Sequence, residues 1–76
     1  MPTQDLAKLP PQNNDAEKSV LGALLIDKDA IVKVADILTS KDFYSEKHGD
    51  IYSAMVELFE KREPIDVVSL TNILSD

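Results

Sequence analysis

One stretch decides the fold, residues 46–62, which reads EKHGDIYSAMVELFEKR. Its large apolar side chains recur every three or four residues, the spacing of one face of an α-helix, at Ile51, Tyr52, Met55, Leu58 and Phe59. Lys61 and Arg62 follow where the dipole of such a helix is negative, and Pro64 disfavours helical backbone at the residue before it. The pattern predicts an α-helix over about residues 46–62, the longest in the chain.

Two further helices are predicted on the N-terminal side. The first opens at Asn13 or Asn14, and Glu17 stands three residues after Asn14, as in a capping box. Its apolar face carries Ala16, Val20, Leu21, Leu24 and Leu25. The second has the same periodicity, typical of a helix with one buried face, and is expected to end near Thr39 and Ser40. Its apolar positions are Ala30, Ile31, Val34, Ala35 and Leu38.

A single turn and a fourth helix complete the pattern. Thr39 precedes Asp42 by three residues and Ser45 precedes His48 by three, the spacing of helix N-caps, so a turn carrying Phe43 and Tyr44 is expected there. Asp66 is a good cap for the fourth helix, whose apolar positions are Val67, Leu70, Ile73 and Leu74.

The fold class that follows is all-α. Apolar and polar residues alternate with period 2 over no useful length, so strands are not expected. We expect a small bundle of about four helices in residues 14–76, with an extended arm in residues 1–13, where Pro10 and Pro11 favour polyproline backbone. Leu6 and Leu9 could anchor this arm in a groove.

Helical periodicity also indicates which residues define the fold. Gly22 lies within the first helix, where it costs about 1 kcal/mol against alanine, so we expect another backbone to pack closely against it. The residues expected in the core or shaping it are Val20, Gly22, Leu24, Phe43, Tyr44, Ile51, Tyr52, Met55, Phe59 and Leu70.

Composition excludes several classes of protein. The chain has 76 residues, no cysteine and a net charge of −6, which bounds it to one domain without disulfides or cysteine-based zinc sites. Its basic residues are scattered, so no direct grip on nucleic acid is expected. The longest apolar run, Val20 to Ile26, is 7 residues, too short to span a membrane. Without a signal peptide at the N-terminus, we expect a cytoplasmic protein.

Candidate chemistry is equally sparse. With only two glycines, Gly22 and Gly49, neither phosphate-binding glycine motif can be written in the chain. His48 is the only histidine and has no ligand partner at i+4, so it is expected to close a helix N-terminus or to pack beside Phe43. We therefore predict no catalytic, cofactor-binding or metal site, and no enzyme activity for this piece.

Four stretches carry a family resemblance: LPPQN at 9–13, AEKSVLGALL at 16–25, DFYSEKHGDIYSAM at 42–55 and PIDVVSL at 64–70. Their order and spacing resemble the start of bacterial replicative DNA helicases of the DnaB type, over about residues 9–74. The resemblance implies a helical N-terminal domain that pairs into dimers, three of which form a collar above a hexameric motor. It also implies binding to primase, within a primosome, and to a helicase loader. The parent would use ATP and Mg to unwind DNA from 5′ to 3′.

Other interpretations remain open on the sequence. The chain could be a fragment of such a helicase, which we favour, or a stand-alone helical interaction module. The helicase-binding domain of a primase has a similar helical fold, and a small DNA-binding regulator is a further alternative that the acidic charge disfavours. Partner contacts are expected on the polar helix faces, around Lys33, Asp36, Glu57 and Glu60.

Overall fold

The computed structural model describes residues 13–75. Within that range the chain forms four α-helices and one 3₁₀ turn, Ser40–Asp42. The helices are α1 (Asn14–Ile26), α2 (Ala30–Val34), α3 (Glu46–Glu60) and α4 (Val67–Leu74). The prediction of an all-α bundle is therefore confirmed for the described residues. The predicted arm, with Leu6, Leu9 and the Pro10-Pro11 pair, lies outside them except for Asn13.

The predicted starts of α1, α3 and α4 are accurate because each is set by a local side-chain cap. The Asn13 side chain accepts a hydrogen bond from the Ala16 amide at 2.9 Å, and Ser45 Oγ accepts from the His48 amide at 3.4 Å. Asp66 Oδ1 accepts from the Ser69 amide at 2.8 Å. The predicted capping box of Asn14 with Glu17 is wrong, because Glu17 is fully buried and turns toward the interior.

The second helix is shorter than its apolar pattern predicts. It ends at Val34, and the chain continues through turns to Leu38, whose amide donates to the Val34 carbonyl at 2.8 Å. The Tyr52 hydroxyl donates to the Leu38 carbonyl at 2.7 Å, so a side chain of α3 satisfies the acceptor at the end of these turns. Burial, together with the charge of Asp42, raises the pKa of Tyr52, so its hydroxyl remains a donor.

The core is built around α3. Tyr52 and Met55 are fully buried at its centre, and the ring of Phe43 lies 5.3 Å from that of Tyr52, centroid to centroid. Ile51 and Phe59 are half-buried against this core. Its buried apolar residues are Val20, Leu21, Leu24, Ile31, Val34, Leu38, Phe43, Tyr52, Ala54, Met55, Leu58, Ile65 and Leu70.

Tyr44 does not belong to the core, so that prediction is wrong. Its side chain is 64% exposed, whereas the neighbouring Phe43 is 6% exposed. Phe43 has extended backbone, with φ −87° and ψ 130°. Successive side chains of an extended segment point to opposite sides, so the burial of Phe43 directs Tyr44 outward.

The prediction for Gly22 is also wrong, and the close approach occurs at the other glycine. A Cβ at Gly22 would meet no heavy atom within 4 Å. A Cβ at Gly49 would lie 2.7 Å from the Ser40 carbonyl oxygen. Gly49 therefore lets the first turn of α3 pack against the backbone of the 3₁₀ turn.

The two glycines provide a matched pair of tests. Gly22→Ala should raise the free energy of unfolding by about 1 kcal/mol, because alanine favours helix and the site is open. Gly49→Ala should lower it by about 1–3 kcal/mol, because the new methyl overlaps backbone that cannot rotate away. Urea denaturation of both variants measures the two changes, and equal shifts in the same direction would contradict the account.

Candidate functional site

A buried carboxylate joins α1 to the start of α3. Glu17 Oε2 accepts from the Tyr44 amide at 2.5 Å, and Oε1 accepts from the Ser45 amide at 3.2 Å. His48 Nδ1 lies 2.7 Å from the same Oε1. The Glu17 side chain has no exposed surface and that of His48 is 13% exposed. The carboxylate thus satisfies three donors in the interior.

Local structure brings these groups together. Glu17 lies in the first turns of α1, with its side chain directed inward, and the backbone of Tyr44 and Ser45 leads into α3. His48 lies in the first turn of α3, where a nearby negative charge is stabilised by the helix dipole. The pair therefore fixes the junction between the 3₁₀ turn and α3 against α1.

The surroundings of Glu17 hold its carboxyl in the ionised form. Burial acts to raise the pKa of this carboxyl, but the hydrogen bonds from His48, Tyr44 and Ser45 outweigh burial and lower the pKa below its ordinary value. A buried carboxylate without such donors would be strongly disfavoured. The pair is therefore a structural hydrogen bond to a buried carboxylate that depends on all three donors.

Sequence reasoning missed this pair. Glu17 and His48 are 31 positions apart, and each also fits a local role at a helix start. His48 was expected to close a helix N-terminus or to pack beside Phe43, and its backbone amide does donate to the Ser45 cap. The ring contact with Glu17 is the part that local spacing could not predict.

An open cleft of about 410 Å³ lies between the end of α2 and the outer face of α3. Its lining mixes apolar and polar side chains, and two carboxylates lie along its α3 wall. The lining residues are Ala35, Leu38, Thr39, Ser40, Tyr52, Ser53, Val56, Glu57 and Glu60. We call it the α2–α3 cleft.

The predicted partner residues are all exposed, but the cleft unites only half of them. Glu57 and Glu60 line it, whereas Lys33 and Asp36 do not. Lys61 Nζ lies 3.0 Å from Glu57 Oε2, and this contact raises the pKa of Lys61. Because the pair is solvent-exposed, its effect on stability is small, and both side chains remain available to a partner.

A second depression of about 300 Å³ lies beside Tyr44, where the 3₁₀ turn meets α3. Charged side chains border it, and Phe43 and Tyr44 contribute aromatic rings to its lining. Its lining residues are Ser40, Lys41, Phe43, Tyr44, Glu46, Gly49 and Asp50. We call it the Tyr44 cleft.

No helix in residues 13–75 is long and apolar enough to cross a membrane. No group of three or more histidine, aspartate or glutamate side chains in the same range is arranged to hold a metal ion. The Glu17–His48 pair lines neither of the two clefts.

These features define a class: a small all-α domain with a compact core and two open surface clefts. Residues 9–76 match the family model described as the DnaB-like helicase N-terminal domain. The chain belongs to that family.

Curated relatives support the assignment. The chain is 44% identical over 69 residues to the replicative DNA helicase DnaB of Mycobacterium leprae, covering 91% of this chain and 11% of that protein. It is 42% identical over 69 residues to DnaB of a Nostoc species, covering 91% and 8%. It is 41% identical over 69 residues to the replicative DNA helicase DnaC of Bacillus subtilis, covering 91% and 15%. No solved structure matches significantly.

The chain thus corresponds to less than a fifth of the length of these relatives. The likeness covers residues of both helices that the Glu17–His48 pair connects, since the family match spans 9–76.

Replacement of Glu17 tests the buried pair. Glu17→Gln should lower the free energy of unfolding at pH 7 by about 3 kcal/mol, because all three donors lose a charged acceptor and the amide NH2 faces at least one of them. Asp15→Asn is the matched control, since Asp15 is an exposed acid on the same helix. Urea denaturation measures both.

The same pair sets a pH dependence. The pKa of Glu17 is lowered in the folded chain, so its contribution is fully present above the ordinary value of 4.5 and is lost as pH falls through the folded-state pKa. Glu17→Gln should flatten the stability curve in that acidic range. An unchanged acid limb, or a variant as stable as Asp15→Asn at pH 7, would contradict the role assigned to Glu17.

Proposed function

We propose that the chain is the N-terminal interaction and oligomerisation domain of a replicative DNA helicase. In this function it forms part of the collar of a hexamer and contributes to binding primase. The observation that carries the proposal is the family match over residues 9–76. The helical fold supports it, because a compact core with open clefts suits contact with other proteins rather than catalysis.

The catalytic work of the whole protein would belong to other parts of it. The matched relatives carry the name replicative DNA helicase, and this chain corresponds to about a tenth of the DnaB of Mycobacterium leprae. We infer a parent that uses ATP and Mg to unwind DNA from 5′ to 3′. Within this chain, two glycines cannot supply a phosphate-binding glycine motif.

Partners are proposed by chemistry and charge. Other helicase subunits, primase and a helicase loader are the protein partners that fit the family. The chain carries a net charge of −6, which opposes direct contact with the phosphates of DNA. The match to helicases favours this function over the helicase-binding domain of a primase.

The α2–α3 cleft is the surface proposed for primase. Its mixed lining includes Ala35 and Val56, and Glu57 and Glu60 at its wall give the charge that sets orientation and on-rate. Both carboxylates lie on the outer face of α3, away from the Glu17–His48 pair. Changes at these positions therefore leave the core untouched.

Charge reversal tests this surface. The double variant Glu57→Lys/Glu60→Lys should weaken primase binding about tenfold or more, because two favourable charges become repulsive at one site. Isothermal titration calorimetry with primase of the same source measures the affinity. The double variant Asp15→Lys/Asp29→Lys is the control, since it changes the net charge equally at exposed positions outside the cleft.

An affinity that falls equally in both double variants would assign the effect to overall charge and would remove the α2–α3 cleft from the proposal. Unchanged binding in both would do the same. If the chain without substitutions did not bind primase, the proposed contribution to primase binding would be contradicted.

A further inference from the structure

Tyr44 carries an exposed aromatic side chain on backbone that is fixed by a buried hydrogen bond. Its ring is 64% exposed, yet its amide donates to the fully buried Glu17 carboxylate. The turn before it is closed by Asp42 Oδ2, which accepts from the Thr39 amide at 2.7 Å. The residue after it, Ser45, caps α3. The backbone that carries the ring is therefore fixed on both sides.

A fixed aromatic side chain is an efficient binding group. Binding through it costs little ordering entropy, because the backbone is already in place and a tyrosine has few rotatable bonds. Exposure of a large ring to water also leaves apolar surface to be buried by a partner. Tyrosine is accordingly enriched among the residues that dominate protein interfaces.

The Tyr44 cleft has a charge as well as an aromatic face. Glu46 and Asp50 lie at its edge with Lys41, so carboxylates outnumber amines there. All three side chains are exposed, and the chain as a whole is negative at −6. This field attracts a cation and repels phosphate or an acidic segment.

We propose that the Tyr44 cleft binds an arginine side chain of a protein partner. A guanidinium group stacks on an aromatic face and forms paired hydrogen bonds with a carboxylate. Arginine suits both contacts better than lysine, whose ammonium group is compact and more strongly hydrated. The volume of about 300 Å³ accommodates one such side chain.

This site is separate from the surface proposed for primase. Ser40 borders both clefts, but Glu57 and Glu60 line only the α2–α3 cleft. The inference rests on the exposure and fixation of Tyr44, and it stands whether or not the α2–α3 cleft binds primase. Glu17 acts in it as a positioning residue, since it touches the backbone of Tyr44 and not the proposed ligand.

A short peptide tests the proposal directly. The probe is acetyl-glycyl-arginyl-glycinamide, titrated into the intact chain while NMR follows the Tyr44 ring and the amides of Glu46 and Asp50. Its citrulline analogue has nearly the same shape without the charge. The arginine peptide should bind in the millimolar range and about fivefold more tightly than the citrulline peptide.

Variants separate the ring from the fold. Tyr44→Ala should weaken the arginine peptide about threefold, and Tyr44→Phe should change it by less than twofold, because the ring and not the hydroxyl is required. Ile26→Ala is the control, since Ile26 is an 88% exposed apolar side chain outside the cleft. The midpoint of thermal unfolding of Tyr44→Ala should match that of the chain without substitutions.

Three results would overturn the proposal. They are equal binding of the two peptides, binding unaffected by Tyr44→Ala, and shifts that map to Glu57 and Glu60 instead of Tyr44. The calorimetric test with primase reports on the α2–α3 cleft. A failure of either proposal can therefore be told apart from a failure of the other.

Discussion

One ionised carboxylate in the interior, that of Glu17, controls the geometry of the rest. It accepts hydrogen bonds from Tyr44, Ser45 and His48, which ties the first helix to the segment that starts the third. Removing a carboxylate from water is costly unless donors replace the lost hydration. The three donors lie in one short segment, residues 44–48. Because the buried Glu17 carboxylate needs all of them to stay ionised, this segment is held against the first helix. Phe43, which enters the core, immediately precedes this segment, and Tyr44, which faces solvent, begins it.

Local features of the sequence predicted the elements well. Asn13, Ser45 and Asp66 each accept a backbone hydrogen bond from three residues ahead, and such caps need no tertiary information. The end of α2 has no such local signal: the apolar pattern continues to Leu38, whereas the helix ends at Val34. The capping-box prediction for Glu17 is wrong because a glutamate near a helix start fits a capping box as well as it fits a contact with a distant segment.

Helical periodicity does not decide correctly for every residue whether it is buried. It placed Tyr52 and Met55 correctly in the core, but it placed Tyr44 there as well, although the chain at that point is extended rather than helical. Gly22 and Gly49 both lie within helices, so the sequence does not distinguish them, yet only Gly49 has another backbone close to its Cα. The candidate surfaces show the same limit: exposure identified Glu57 and Glu60, while the clefts that organise them required the three-dimensional structure.

The most direct test of the account is an NMR titration of the Glu17 carboxyl carbon. The account predicts a pKa below the ordinary value of 4.5, since three donors stabilise the ionised form despite burial. The amides of Tyr44 and Ser45 should change shift at the same pH, because both donate to this group. A pKa at or above 4.5, or amide shifts that do not follow the carboxyl, would contradict the central role of Glu17.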